Sequence, residues 1–176
     1  NSAWPSFYWQ LYDYYLLPTS AYYAAKKANE PLQLIYNYGN NQVYAINETF
    51  NRLDKAKARI KMTDIQGKEI LSEEFAISIQ ENKSMPVHKI PPVYSTVFLK
   101  LELLDEKNNA IADNFYWLPG KPDVYDWKKT EWYYTPIKVS ADFKALNNLM
   151  PAEVELIHSI SSTENEQLIE ATLNNH

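Results

Sequence analysis

From residue 32 onward the sequence alternates apolar and polar positions with a period of two, and turn residues recur at about ten-residue spacing. Leu32, Leu34, Tyr36 and Tyr38 alternate with Gln33, Ile35 and Asn37, and Gly39-Asn40-Asn41 supplies a turn. A second strand is expected over 42–47, with Val43 and Ala45 between Tyr44 and Ile46. Alternation resumes over 58–65, and Gln66-Gly67 turns the chain into a strand over 69–79. The 96–104 segment carries Val97, Leu99, Leu101 and Leu103 and reads as the central strand. Residues 105–109 make a polar turn before a last strand over 110–118. Pro86, Pro91 and Pro92 mark an extended edge or linker, because proline cannot donate to a sheet ladder. Roughly seven short strands with polar turns predict an antiparallel β-sandwich over 32–121. Its inward set is expected to include Leu34, Tyr36, Val43, Ala58, Ile60, Val97, Leu99, Leu101 and Phe115.

What surrounds this core is less regular. Pro18-Thr19-Ser20 breaks an aromatic N-terminal stretch and offers Thr19 or Ser20 as a helix N-cap. Residues 21–29 read as a short helix with Lys26 and Lys27 in the last turn, where cations suit the dipole. Glu30-Pro31 ends it, since the residue before proline is pushed out of the helical region. Residues 122–141, with Trp127 and Trp132, read as a linker or an edge strand. Residues 142–176 read as two further strands, signalled by Leu146, Leu149, Val154, Leu156 and Ile160 and then by 168–173. Two strands cannot bury a sheet face alone, so this part is expected to open a second sandwich.

Several function classes are excluded or disfavoured at once. A net charge of -5 argues against a nucleic-acid surface, which needs clustered Lys and Arg. No apolar run reaches the eighteen or so residues that cross a bilayer as a helix. The chain has no cysteine, so disulfides and thiolate metal sites are ruled out. His88, His158 and His176 are scattered without partners at metal-ligand spacing, and no metal or other cofactor is expected. The three glycines sit singly at turns, which gives no phosphate-cradling loop, and no Gly-x-Ser-x-Gly turn is present. Asn47-Glu48-Thr49 and Asn82-Lys83-Ser84 match the glycosylation sequon, a pattern common by chance.

The first seventeen residues hold two Trp and four Tyr, and the first Met is Met62, so the sequence is expected to begin inside a longer polypeptide. Asn1 to Ser6, with Trp4-Pro5-Ser6, then Leu11-Tyr-Asp-Tyr-Tyr-Leu16, then Ala25-Lys-Lys-Ala-Asn-Glu-Pro31 follow one another in order. In this order they resemble the end of the catalytic barrel in glycoside hydrolase family 2, in the branch of exo-β-glucosaminidases and β-mannosidases. Asn114-Phe-Tyr-Trp-Leu118 is similar to that branch too, and the likeness is weakest after residue 142. The resemblance implies a mainly β chain: an immunoglobulin-like antiparallel β-sandwich with a short N-terminal helix and a partial second sandwich. On this reading 1–31 is the last strand and helix of the catalytic (β/α)8 barrel, 32–121 the sandwich, 122–141 a linker or edge strand, and 142–176 the truncated start of a second immunoglobulin-like domain.

The same resemblance implies a parent enzyme that cleaves terminal β-mannosyl or β-glucosaminyl linkages with retention; the location stays open, since a chain without cysteine suits either a reducing cytosol or an exported protein, with a periplasmic or extracellular parent favoured. It implies the catalytic barrel of the same polypeptide as partner, and a carbohydrate substrate in the intact parent, with no nucleic acid and no membrane. Retaining enzymes of this type use two carboxylates about 5 Å apart. The resemblance places both upstream of Asn1, so no catalytic residue is expected here. Glu73-Glu74, Glu102, Glu153 and Glu155 are instead expected on solvated sandwich faces. Trp4 is the one substrate-binding candidate, for the parent only, as an apolar wall at the carboxyl end of a barrel strand. A competing reading is a free-standing carbohydrate-binding or adhesion module. It would use Trp117, Trp127, Trp132 and the tyrosines as a stacking platform, whereas large aromatics more often fill cores and domain interfaces.

Overall fold

The computed structural model describes residues 11–163 and 165–175. Helix α1 (Ser20–Ala28) follows Thr19, which stands at the N-cap with extended backbone. The Thr19 hydroxyl donates to the Leu11 carbonyl (3.1 Å), closing the preceding residues into a loop that lays Tyr12 against Tyr22. At the other end Gln33 caps the helix, its amide donating to the carbonyls of Ala28 (2.9 Å) and Glu30 (2.8 Å). Gln33 is buried, so its amide needs such partners.

Seven strands then form the sandwich: β1 (Leu32–Asn37), β2 (Gln42–Asn47), β3 (Leu53–Asp64), β4 (Glu69–Ile79), β5 (Lys83–Lys89), β6 (Val97–Leu104) and β7 (Ala110–Leu118). One sheet has the order β1-β2-β5 and the other β4-β3-β6-β7, all neighbours antiparallel. The chain crosses between the sheets after β2, β4 and β5, which gives the immunoglobulin-like topology. β6 lies between β3 and β7, so the most apolar segment of the sequence is a central strand. β5 is an edge strand, and Pro86 sits beside the bulge that shifts register opposite Val43 and Tyr44. A proline at an irregular edge removes no interior ladder bond.

The strand period of two places Leu34, Val43 and Ala45 from the first sheet against Ala58, Ile60, Met62, Leu99, Leu101 and Leu103 from the second. Each of these is at most 2% exposed. Polar side chains also tie the sheets together. The Asn114 amide donates to the Leu34 carbonyl (2.9 Å), and the Tyr36 backbone N–H donates to the Tyr116 hydroxyl (3.2 Å). One expected core residue lies elsewhere. Phe115 is 56% exposed, because Ala112, Asn114, Tyr116 and Leu118 take the inward positions of β7. The polar Asn114 occupies a position that apolarity alone would give to its neighbour.

Beyond the sandwich, β8 (Val124–Tyr125) and β9 (Ile137–Val139) form a two-stranded ribbon of their own, carrying a 3-10 turn at Trp127–Lys129. The ribbon is held to its flanks where Asp123 accepts from the Ala141 N–H (2.7 Å). A second 3-10 turn spans Lys144–Asn148, so Leu146 lies in a helical turn rather than in a strand. β10 (Val154–Ser162) and β11 (Gln167–Asn175) then pair as a hairpin. Its register puts Leu156 opposite Leu173 and Ile160 opposite Ile169, so one face is apolar, while the other carries Glu155, Ser159 and Glu170.

Candidate functional site

The carboxylates singled out from the sequence fall on the outside of the sandwich. Glu74 bonds Lys57 (3.2 Å) and Arg59 (3.2 Å), and Arg59 reaches on to Glu102 (3.5 Å), which also meets Lys100 (2.8 Å). These pairs form a ladder across the outer face of β4, β3 and β6. Hydrogen bonds from Lys57 and Arg59 hold the Glu74 carboxyl below its ordinary pKa. A glycosidase acid needs the opposite shift, a carboxyl kept protonated near neutrality. Glu74 is therefore held ionised, the opposite of what the acid of such a pair needs. Glu73 is solvent-exposed on β4, and Glu153 and Glu155 are exposed before and on β10. Among the described residues no three His, Asp or Glu side chains converge as metal ligands. His88 stacks its ring on Phe75 (5.1 Å).

The two sequons have opposite settings. Asn47 is fully buried. Its amide donates to the carbonyls of Asn51 (2.8 Å), Gln80 (3.1 Å) and Ile79 (3.3 Å). Its own carbonyl accepts from the Thr49 N–H (3.0 Å) and hydroxyl (2.7 Å). The Asn-x-Thr pattern here is a structural knot at the end of β2, and the amide is closed to modification in the folded protein. Asn82 lies exposed in the β4–β5 turn with φ 51°.

Aromatic side chains make the most distinctive surface. Tyr36, Tyr38 and Tyr116 pack edge to face at 5.0–6.1 Å where β1 approaches β7. Burial pushes the phenol pKa of all three upward. For Tyr116 the bond from the Tyr36 N–H and the charge of Lys27 work the other way. Beside this cluster lies a cavity of about 630 Å³ lined by Tyr38, Trp117, Tyr125, Trp127 and Phe143, with Asp123 at its wall. Trp117 and Trp127 are 55% and 72% exposed, and Trp132, which does not line the cavity, is 86% exposed. None of the three fills the sandwich core. On β6 and β7 the outward Phe98 meets Phe115 (5.6 Å) and Trp117 (6.5 Å). The sequence placed Phe115 in the core and Trp117 on a stacking platform, and it missed that register lines both up with Phe98 on one face. Trp4 lies outside the described residues.

A seven-stranded antiparallel sandwich, with Glu74 and Glu102 in ion pairs on its outer face, defines an immunoglobulin-like module. Residues 39–119 match the family described as Mannosidase Ig/CBM-like domain. The exo-β-D-glucosaminidase of Amycolatopsis orientalis is 34% identical over 181 residues, covering 99% of this chain and 18% of that protein. That of Hypocrea jecorina is 31% identical over 163 residues, covering 90% and 18%. The mannosylglycoprotein endo-β-mannosidase of Lilium longiflorum is 23% identical over 184 residues, covering 96% and 18%. The crystal structure of the Amycolatopsis orientalis exo-chitosanase CsxA superposes with a TM-score of 0.81 at 32% identity, covering 98% of this chain and 21% of that one. The chain thus belongs to the C-terminal region of glycoside hydrolase family 2, and 39–119 matches its Mannosidase Ig/CBM-like domain. It spans 18% of the length of the relatives named above.

Proposed function

We propose that this chain is the non-catalytic β-sandwich region of a retaining family 2 glycoside hydrolase that removes terminal β-linked glucosamine from oligosaccharides. The observation that carries this reading is the 34% identity to an exo-β-D-glucosaminidase, sustained across 99% of the chain. The likeness to an endo-β-mannosidase is lower at 23%, which favours the glucosaminide over the mannoside. In this reading 1–31 supplies the last strand and helix of the barrel, with Trp4 as an apolar wall beside the sugar ring. The sandwich of 32–121 buttresses the barrel, 122–141 is the ribbon-bearing connection, and 142–176 opens a second immunoglobulin-like domain. The catalytic carboxylates belong to the barrel, and the sandwich contributes position rather than chemistry.

The test uses aryl β-D-glucosaminides and aryl β-D-mannosides. The purified 176-residue chain should turn over neither, while the longer polypeptide that includes it should release the aryl group from the glucosaminide. Turnover by the short chain that survives repurification and scales with its concentration, or a longer polypeptide inactive on both substrates, would overturn the reading.

A further inference from the structure

The outer face of the four-stranded sheet is divided into two unlike halves. Over β4, β3 and β6 it is a ladder of ion pairs, as a solvated face should be. Over the far half of β6 and β7 it is aromatic: Phe98 and Trp117 are cross-strand partners, and Phe115 stands opposite Lys100. The strip continues past Trp117 to Trp127 across the 630 Å³ cavity. Phe115, Trp117 and Trp127 are 56%, 55% and 72% exposed. Aromatic side chains carry about 150–250 Å² each, so the strip is as large as the biggest apolar patch an ordinary monomer leaves in water. Such a surface calls for a partner.

Helix α1 says which one. Lys27, in its last turn, bonds Asp113 on the outward side of β7 at 3.0 Å. Partial burial opposes the Lys27 charge, but the Asp113 and Glu30 carboxylates outweigh it and hold its pKa above the usual lysine range. Asp113 is two residues from Phe115 on the same face, about 7 Å along the strand. Only residues 29–31 separate α1 from β1, and Gln33 clamps that junction. The last turn of α1 is therefore tied to the outer side of β7 beside the aromatic strip, and its flank borders Ile35 of β1 at the seam of the two sheets. We propose that the catalytic barrel of the same polypeptide docks on the outer face of β6 and β7, covering Phe98, Phe115 and Trp117 and reaching Trp127. This inference rests on the function proposed above, in which α1 is the last barrel helix. A saccharide is the competing occupant, but the rings do not form a flat shelf for pyranoses. Phe98 stacks on Phe115 with 28° between their planes, but it is tilted 64° from Trp117, and Tyr125 is tilted 41° from Trp127. Interdigitating tilted rings with charged Lys27, Lys100 and Asp113 at the rim are the pattern of a protein interface.

Hydroxyl-radical footprinting reads the covering directly. The 176-residue chain and the longer polypeptide are labelled in parallel, and modification of Phe115 and Trp117 is compared with that of Phe50, 97% exposed in the β2–β3 loop. In the short chain all three should label. In the longer polypeptide the ratio of Phe115 and Trp117 to Phe50 should fall about fivefold, the drop expected when half-exposed rings enter an interface core. An unchanged ratio in a longer polypeptide that hydrolyses glucosaminides overturns the docking face and leaves the proposed function standing. Protection of the strip in the short chain by added glucosamine hexamer overturns it in favour of a saccharide site. A longer polypeptide without glycosidase activity removes the enzymatic reading, while the labelling ratio still decides whether this face is covered.

Discussion

The buried Asn47 side chain makes a sharp test of how the sandwich is closed at one end. Its amide and carbonyl join β2 to the β2–β3 loop and to the end of β4 through five hydrogen bonds. In Asn47→Ala the carbonyls of Asn51, Ile79 and Gln80 and the Thr49 N–H lose this partner. Asn51 is exposed and regains water. Ile79 is 1% exposed, so its carbonyl stays dry. A buried polar group left unpaired costs about 1–3 kcal/mol. One or two stranded groups, together with the lost packing of a fully buried side chain, bring the cost to roughly 3–5 kcal/mol. With a urea m-value of about 2 kcal/mol/M, the midpoint followed by tryptophan fluorescence should fall by roughly 2 M. Asn47→Asp adds a diagnostic. Its carboxylate would face three carbonyl oxygens, so the folded state would favour the protonated acid and raise the pKa above the unfolded value of about 3.9. The folded state then binds more protons than the unfolded one, and stability falls as pH rises between those two pKa values. Asn47→Asp should thus lie closer to wild type at pH 4 than at pH 7. An Asn47→Ala midpoint within 0.5 M of wild type (about 1 kcal/mol at that m-value), or an Asn47→Asp deficit that ignores pH, would refute the reasoning.

Leu99→Ala should cost about 2–5 kcal/mol, because Leu99 is fully buried on the central strand, while Phe115→Ser in the 176-residue chain should stay within about 0.5 kcal/mol; equal denaturation midpoints for the two would contradict the register of β6 and β7. Gly120→Ala should lower the melting temperature, since the new Cβ would come within 2.5 Å of the Tyr94 carbonyl and 2.7 Å of the Ser95 nitrogen, both backbone. A Gly120→Ala protein as stable as wild type would show that this approach relaxes freely. Glu74 and Asp105 have carboxyl pKa values lowered by hydrogen bonds, chiefly from Lys57 and from the Asn109 side chain. Their contribution is complete above the unfolded carboxyl pKa and is lost as pH falls through the lowered folded values. Acid titration should show Asp105→Asn and Glu74→Gln reducing the pH sensitivity of unfolding below about pH 4, and unchanged acid profiles would count against both pairings.

The sandwich was legible because its strands are amphipathic and its turns are marked. Gln42–Asn47, Glu69–Ile79 and Ala110–Leu118 have the expected bounds, and the apolar 96–104 segment is indeed flanked on both sides. The period of two carried that information, since burial alternates with it. Where polarity and burial part company the pattern misled. Asn47 and Asn114 sit inward as hydrogen-bonded connectors, and the apolar Phe115 was displaced to the surface. Leu146 lies in a five-residue 3-10 turn, a run too short to show a period in the sequence. The aromatic strip was invisible for another reason: it joins residues from β6, β7 and the 124–139 ribbon, and only the cross-strand register brings them together.

The β10–β11 hairpin has a practical consequence. Val154, Leu156, Ile160, Ile169 and Leu173 share one face and are 54–70% exposed. Among the described residues β10 and β11 pair only with each other, which leaves each with an outer edge that a further strand could join. In preparations where nothing shields that face, molecules will stack hairpin to hairpin. Handling will then be governed by concentration: soluble and monomeric when dilute, oligomeric or turbid when concentrated, with the melting point of the seven-stranded body unaffected. Excising residues 150–176 should cure that behaviour without touching the core, and a crystallisation campaign would do well to start there.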